Sequence, residues 1–233
     1  MLETGVKNSM TVKLDSLIMR TINNMTAQTL YKGQAMQKVN LLTAYNTATG
    51  QKLTADKALL DKDFLKFASL TIKKYQARIT KMSKLFNQGE KARFTNINDL
   101  HTVLLSDFAD SAEVYLMSDT YHNDTVSLPQ HETVPYWQGS GKTYSFSDVS
   151  SIKVKINDGT KTAKDVTQAG IIGVMFDSNA LGVSNLNQRT TTAYNARAEF
   201  YTNFYKMDAG YFNDLNENFV VFYIADTDFT VGG

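Results

Sequence analysis

The residues that could do chemistry in this sequence are few, and the most suggestive form a glycine-rich run. Residues 139–143 read Gly-Ser-Gly-Lys-Thr, like the end of a phosphate-binding loop, and Asp226 follows an apolar run, like a magnesium-holding carboxylate. A complete loop has an opening glycine where this chain has Tyr136. It is also followed by a helix whose N-terminus faces the phosphate, and residues 144–148 do not resemble a helix start. The pattern therefore argues against a nucleotide hydrolase that would use Lys142, Thr143 and Asp226.

The other candidate chemistry involves histidines and carboxylates. His122, Asp124, His131 and Glu132 lie close together in the sequence and could form a metal site. Their spacing does not place them on one helix face, and a polar loop explains them equally well. His101 stands in an apolar run, where we expect a hydrogen-bonded core residue instead of a base. The chain has no cysteine, which excludes disulfides, thiolate catalysis and zinc–thiolate sites. We therefore expect no catalytic residue, no metal and no cofactor.

Length and composition are those of a globular protein. The chain has 233 residues, of which 42% are hydrophobic and 20% charged, so neither a disordered nor a fibrous chain is expected. Basic and acidic side chains number 24 and 23, and the net charge of +1 gives no support for nucleic-acid binding as the main activity. No apolar run approaches the roughly 20 residues that span a bilayer, and the first residues lack the apolar core of a secretory signal. We expect no membrane partner.

The charges are unevenly spread along the chain. Residues 62–93, the basic block, carry nine basic and two acidic side chains, a net charge of +7. Residues 94–141, the acidic block, carry seven acidic side chains and no lysine or arginine, a net charge of −7. Two interpretations stay open: the blocks pair within one chain, or they face different copies of the chain and fix their register. On the second, the candidate subunit-interface residues are Lys73, Lys74, Arg78, Lys81, Asp107, Asp110 and Glu113.

Apolar residues at helical spacing predict two long helices. The first extends over residues 13–31, with Thr11 as its cap. The second, which we name the stripe helix, has apolar residues at alternating spacings of three and four over residues 65–86, begins after Thr54 and ends at Gly89. Packing inside one domain is favoured over a coiled coil, because the stripe is short. Four stripe residues expected to be buried are Leu65, Ile72, Ile79 and Met82.

Strand-forming runs dominate the rest of the sequence. Residues 100–105 predict a buried strand and residues 107–116 a helix, whereas residues 118–147 are polar but rich in aromatics and predict an ordered loop. Further strands are predicted at residues 151–156, 169–176, 189–205 and 218–225. The last of these is apolar on both faces, so it should be central and covered on both sides. The predicted class is α+β.

A series of short segments carries a family resemblance. In chain order these are residues 82–87, 92–95, 99–109, 118–122, 134–141, 170–177, 180–183, 189–195, 210–214 and 217–222. Their order and spacing resemble the major capsid (head) proteins of tailed bacteriophages, a fold shared with encapsulins. The resemblance implies a shell subunit with a peripheral domain, built on a long spine helix and long strands, and an axial domain of helices on a central sheet. The expected peripheral domain is residues 1–38 and 188–216, and the axial domain is residues 39–187 and 217–233.

The function implied by the resemblance is structural and not enzymatic. The protein is expected to be a subunit of an icosahedral phage head, to assemble into capsomers with copies of itself and to enclose double-stranded DNA by non-specific contact. Scaffold, portal and decoration proteins are further expected partners. The expected location is the virion, after assembly in the cytoplasm of the bacterial host. Two alternatives stay open: an encapsulin-like shell that packages a protein, and the nucleotide hydrolase described above.

The resemblance also implies elements that this sequence does not display. Family members carry an N-terminal arm and an extended β-hairpin before the spine helix, and both reach over neighbouring subunits. Here the predicted spine helix begins already at Lys13. We therefore expect both elements to be missing before that helix, which leaves self-assembly of this polypeptide alone an open question.

Overall fold

Helices dominate the first half of the chain and strands the second half in the computed structural model, which describes residues 2–119, 128–138, 143–157 and 163–230. The helices of this part are α1 (Leu2–Lys32), α2 (Leu41–Thr49), α3 (Ala55–Ala58), α4 (Lys62–Ile79), α5 (Ser106–Asp119) and α6 (Phe146–Val149). The strands are β1 (Lys38–Asn40), β2 (Leu100–Leu105), β3 (Glu132–Val134), β4 (Ile152–Ile156), β5 (Lys164–Gln168), β6 (Ile171–Asp177), β7 (Leu181–Asn195), β8 (Phe200–Asn213) and β9 (Phe219–Tyr223). The α+β class is confirmed. No described helix has the length and hydropathy needed to cross a membrane.

A five-stranded sheet in the order β1-β9-β6-β2-β3 forms the centre of the fold. β6 pairs antiparallel with β9 and with β2, whereas β1 and β3 are added in parallel at the two edges. Every residue of β6 and β9 is buried, because both faces of the sheet are covered. This confirms the prediction that the apolar run near the C-terminus is a central strand.

The two faces of this sheet carry different helices. Helices α2, α4 and α5 supply the core on one face, where Leu42, Ile72 and Phe108 pack against alternate residues of β6 and β9. The second half of α1 lies on the other face, where Met25 and Leu30 share a core with residues of β4 and β5. Helices α1 and α4 are therefore separated by the sheet. The division into peripheral and axial domains stays a prediction.

Helix α1 begins earlier than its apolar pattern predicts. It starts at Leu2 instead of Lys13, and the Thr11 hydroxyl donates to the carbonyl of Lys7 inside the helix, 3.2 Å away, so Thr11 is not a cap. Its first half is largely exposed, and most of its side chains are buried only from Thr21 on. The missed start has a simple reason: an exposed helical half needs no apolar stripe.

The stripe helix is shorter than predicted at both ends. The Asp61 side chain accepts from the Phe64 N–H at 2.7 Å and starts α4, while the segment after Thr54 forms the separate helix α3. The helix ends at Ile79, whose carbonyl accepts from the Thr95 N–H. Leu65, Ile72 and Ile79 are buried as predicted, but the prediction for Met82 is wrong, because this residue lies beyond the helix and is 71% exposed.

The segment predicted as one strand at residues 189–205 is instead part of a hairpin. β7 and β8 pair antiparallel over nearly their whole length, and residues 196–199 connect them. A register shift between Leu186 and Arg189 contains Asn187, which has a φ of 57°. An extended hairpin is therefore present in this chain, after α1 in sequence. Both strands of this hairpin contact α1.

Candidate subunit interfaces

Helices α4 and α5 pack side by side on one face of the sheet, and their outer surfaces carry the candidate interface charges. On α4, Lys74 and Arg78 are exposed, Lys73 is half-buried, and the Arg78 guanidinium lies 5.8 Å from the centre of the Tyr75 ring. Lys81 is exposed just beyond the end of α4. The structure thus brings the four basic residues to one helix and its end.

The acidic residues follow one another along α5. Asp110 and Glu113 are exposed and Asp107 is half-buried in the first turn of the helix. Burial, and to a lesser degree the negative charge of Asp110, raises the pKa of Asp107 above its ordinary value. Within the described residues, none of the seven candidate interface side chains has an ion-pair partner. Helices α4 and α5 are in contact, but within the described residues the cations of α4 and the acids of α5 form no ion pair with each other.

The end of the basic block does make an ion pair. The Arg93 guanidinium lies 3.2 Å from a carboxylate oxygen of Glu217, outside the acidic block. Burial raises the pKa of Glu217, Arg93 opposes that rise, and the neighbouring Asp177 and Asp214 add to it. This contact links the loop after α4 to the segment before β9.

The residues proposed for nucleotide chemistry have structural contacts. The Thr143 hydroxyl donates to a carboxylate oxygen of Asp148 at 2.9 Å, and an Asp226 carboxylate oxygen accepts from the Ala55 N–H at 2.9 Å. Contrary to expectation, a helix does follow the loop, because α6 begins at Phe146, but it is a single turn. Residues 139–142, with Lys142, lie outside the described part of the chain.

The proposed metal site is only partly described, since His122 and Asp124 lie outside the described residues. His131 Nδ1 lies 2.8 Å from the Pro129 carbonyl oxygen. His101 is exposed instead of buried, because it stands near the start of β2 at the rim of the sheet; its ring stacks on Phe176, and Nδ1 lies 3.7 Å from Glu132 Oε1. The described residues contain no group of three or more side chains that could hold a metal ion.

The β7–β8 hairpin exposes large apolar side chains that the sequence analysis did not single out. Seven of them are at least half exposed: Leu186, Tyr194, Phe200, Tyr201, Phe204, Tyr211 and Phe212. Tyr194 and Tyr201 form a cross-strand pair with ring centres 4.8 Å apart. The sequence does contain a signal for the turn of this hairpin. Residues 196–199, Ala-Arg-Ala-Glu, interrupt a run of threonines and aromatics.

Two clefts border α1. One, of about 780 Å³, lies between the first half of α1 and β8 and is lined by Val6, Met10, Lys13 and Met207 among others. The second, of about 710 Å³, lies between the middle of α1, residues 136–138 and β4. Asn23 lines this second cleft and donates to the Trp137 carbonyl at 2.6 Å.

Comparison with known proteins assigns the chain to a family. Residues 1–223 match the model of the Phi29-like phage major capsid proteins, and the chain belongs to this family. No curated protein matches it. Among solved structures, a chain in the capsid of Staphylococcus phage Andhra is similar, with 12% identity and a TM-score of 0.48. The similarity covers 97% of this chain and 65% of that chain, so this chain spans about two thirds of the length of the phage protein.

Family membership makes this a chain of the structural class from which phage heads are built. The candidate contact surfaces described above are the charged faces of α4 and α5, the exposed hairpin and the cleft beside it.

Proposed function

We propose that the protein is the shell-forming subunit of a phage head, whose copies assemble into capsomers that enclose double-stranded DNA. The observation that carries the proposal is the family match over residues 1–223. Symmetric assemblies of one chain bury the same surfaces in every copy, so such a subunit must present complementary patches. The exposed surfaces of the hairpin and of α4 and α5 support the proposal, because they are accessible to neighbouring copies.

The hairpin supports the proposal through its energetics. A two-stranded hairpin is at best marginally stable in water, and β7 and β8 make their main contact with the rest of the chain at α1. When a neighbouring copy buries the exposed half of an aromatic side chain, the free energy of association becomes more favourable by roughly 2 kcal/mol. Contact with other copies therefore stabilises both the hairpin and the assembly.

The charged faces of α4 and α5 are the second proposed contact. Because the basic and acidic faces are adjacent on one subunit, rotation within a ring can bring the basic face of one copy against the acidic face of the next. Each exposed pair contributes only about 0–1 kcal/mol, and screening acts over roughly 8–10 Å at physiological salt. Several pairs acting together would fix the register of neighbouring subunits.

DNA is proposed as the enclosed cargo, held without sequence specificity. A subunit with a net charge of +1 attracts phosphate only weakly. Scaffold, portal and decoration proteins are proposed as further partners, and the cytoplasm of the host as the place of assembly. Purified particles should protect DNA from nuclease, whereas particles filled with protein would favour the encapsulin-like alternative.

A purely structural role, without catalysis, is part of the proposal. Asp226 already accepts a backbone N–H at the start of α3, and Thr143 already donates to Asp148. Their present contacts support a role in holding loops. Addition of ATP and magnesium should leave the melting temperature unchanged, and a clear increase would contradict this part of the proposal.

Electron microscopy of the purified protein tests the central proposal. Negatively stained samples over a range of protein concentrations should contain rings or closed shells, and sedimentation should show the matching fast species. A chain that sediments as a monomer at every concentration, and that does not enter particles in phage-infected cells, would contradict it.

A further inference from the structure

We name the cleft between the first half of α1 and β8 the socket. Val6 and Met10 from α1 and Met207 from β8 give it apolar walls. Lys13 and Lys206 stand among its lining residues, and Lys206 also pairs with Asp208 at 3.3 Å. Its volume of about 780 Å³ lies within the range of pockets that enclose whole ligands, so it exceeds what one aromatic side chain needs.

The tip of the same hairpin carries an exposed aromatic ring and a carboxylate, which complement the apolar walls and the lysines of the socket. Phe200 is 50% exposed, and its cross-strand neighbour is Asn195, which offers it no ring to pack against. Glu199, immediately before it, is exposed and has a φ of 50°, a left-handed conformation that glycine adopts at lower cost. The turn therefore places a carboxylate beside the exposed Phe200 ring at the tip.

The tip of one chain cannot occupy its own socket. Tyr205 and Met207 line the cleft and lie five and seven residues beyond Phe200 in the same strand. At about 3.3 Å per residue, this separates the tip from the cleft by roughly 17–23 Å. Since both belong to one paired hairpin, the separation is fixed.

We propose that the hairpin tip of one copy docks into the α1–β8 cleft of a second copy, with Phe200 between Met10 and Met207 and Glu199 at Lys13. Methionine side chains make favourable contacts with aromatic rings, and the carboxylate finds a cation at the rim. Because tip and socket are different surfaces, the contact is heterologous, and each added copy leaves one tip and one socket free. Rotation then closes the chain of subunits into a ring. This inference rests on the proposed function, which includes contacts of the hairpin with other copies but does not name the surface that receives its tip.

Cysteine cross-linking tests the contact directly, because the chain has no native cysteine. Mixing Met10→Cys with Phe200→Cys under mild oxidation should give a covalent dimer, and the double variant should give a ladder of higher oligomers. Thr47→Cys, at an exposed position on α2, mixed with Phe200→Cys is the matched control and should stay monomeric. Equal cross-linking of both mixtures would overturn the proposal.

Variants that preserve the fold distinguish the contribution of the hairpin tip to association from its contribution to the stability of the subunit. Glu199→Gly relaxes the turn, so it should preserve the melting temperature yet weaken association about three-fold, and Phe200→Ser should weaken it at least about tenfold. Arg197→Ala, in the same turn, should leave association unchanged.

A mixture of two variants tests the direction of the contact. Each of Phe200→Ser and Met10→Lys alone should remain monomeric. Their mixture should stop at dimers, because Phe200→Ser supplies the socket and Met10→Lys supplies the tip.

The outcomes distinguish this proposal from the function on which it rests. Shells or rings of the wild-type protein without specific Met10–Phe200 cross-links overturn the tip-and-socket contact and leave the function intact. Absence of both assembly and cross-links contradicts both. Wild-type affinity in Phe200→Ser also overturns the contact.

Discussion

Asn40 bonds the backbone of Ala225 at both its N–H and its carbonyl: its Nδ2 donates to the Ala225 carbonyl at 2.9 Å, and its Oδ1 accepts from the Ala225 N–H at 3.3 Å. The same oxygen accepts from the N–H groups of Leu42 and Thr43 and caps α2. One side chain at the end of β1 thus joins the first turn of a helix to the chain that leaves β9.

Replacement of Asn40 by alanine removes the cap and leaves the N–H and the carbonyl of Ala225 without their side-chain partner. We expect Asn40→Ala to lower the free energy of unfolding by about 1–3 kcal/mol. Urea denaturation measures the effect. Asn98→Ala, at an exposed position, is the control and should change stability by less than about 0.5 kcal/mol. Similar losses in the two variants would contradict the role assigned to Asn40.

Gly170 occupies a position that only glycine fills without strain. Its φ is 78°, and an added Cβ would collide with the Ile224 carbonyl oxygen. Gly170→Ala should therefore destabilise the subunit by more than about 1 kcal/mol. Gly5→Ala is a matched control, because Gly5 lies in α1 with open space around it, and the change should be neutral or stabilising by up to about 1 kcal/mol. Thermal unfolding compares the two, and equal melting temperatures would refute the prediction.

The stripe of α4 gives a graded test of burial. Ile79 is fully buried, so Ile79→Ala should cost about 2–4 kcal/mol through lost transfer energy and the cavity left behind. Lys81→Ala should cost less than about 0.5 kcal/mol. Met82→Ala belongs with Lys81, because Met82 is exposed beyond the helix end. Urea melts of the three variants should separate Ile79 from the other two, and a large loss at Met82 would mean that the helix end is wrongly placed.

These residues also show which features of the fold can be predicted from the sequence alone. The periodic burial of Leu65, Ile72 and Ile79 follows from local spacing, and the central place of β9 follows from its apolar character on both faces. The end of α4 does not follow, because it depends on long-range contacts: the Thr95 N–H donates to Ile79, and the backbones of Ser83 and Arg93 pair with each other. The helical spacing of apolar residues continues to Met82, although the helix has already ended at Ile79.

The hairpin and the candidate interfaces were harder to predict for a related reason. Burial fixes register by keeping one face of a strand apolar, and β7 and β8 expose aromatics on both faces. The sequence therefore predicts the strand-forming residues but neither the turn nor the pairing of the two strands. Charge counting did locate the basic and acidic residues, whereas the adjacency of α4 and α5 required the folded structure.

Asp110 should contribute measurably to the titration of Asp107. Burial is the larger cause of the raised pKa of Asp107, and the charge of Asp110 is the smaller one. Asp110→Asn should therefore lower the pKa of Asp107 towards, but not to, its ordinary value of 3.8. NMR titration of the Asp107 carboxyl group measures this, with Glu113→Gln as a control that leaves it unchanged.

The raised pKa of Asp107 also sets a pH dependence of stability. The folded state binds the Asp107 proton more tightly than the unfolded state does, so this group lowers stability as the pH rises from 3.8 through the folded pKa. Asp110→Asn should reduce that loss. A steeper loss in the variant would show that the two carboxyl groups do not repel each other.

Charge reversal tests whether the faces of α4 and α5 meet across subunits. Replacement of Lys73, Lys74 and Arg78 by glutamate should weaken assembly but leave the subunit folded, because none of these side chains has an ion-pair partner within the described chain. The melting temperature should fall only slightly, through loss of the contact between Arg78 and the Tyr75 ring. Further replacement of Asp107, Asp110 and Glu113 by lysine in the same chain should restore part of it, since the complementary pairing is then re-formed with opposite signs. Sedimentation at low and high salt measures both, and wild-type assembly should itself weaken as salt rises. Unfolding of the first variant would mean that the blocks pair within one chain, and unaltered assembly would mean that the basic face is only solvated.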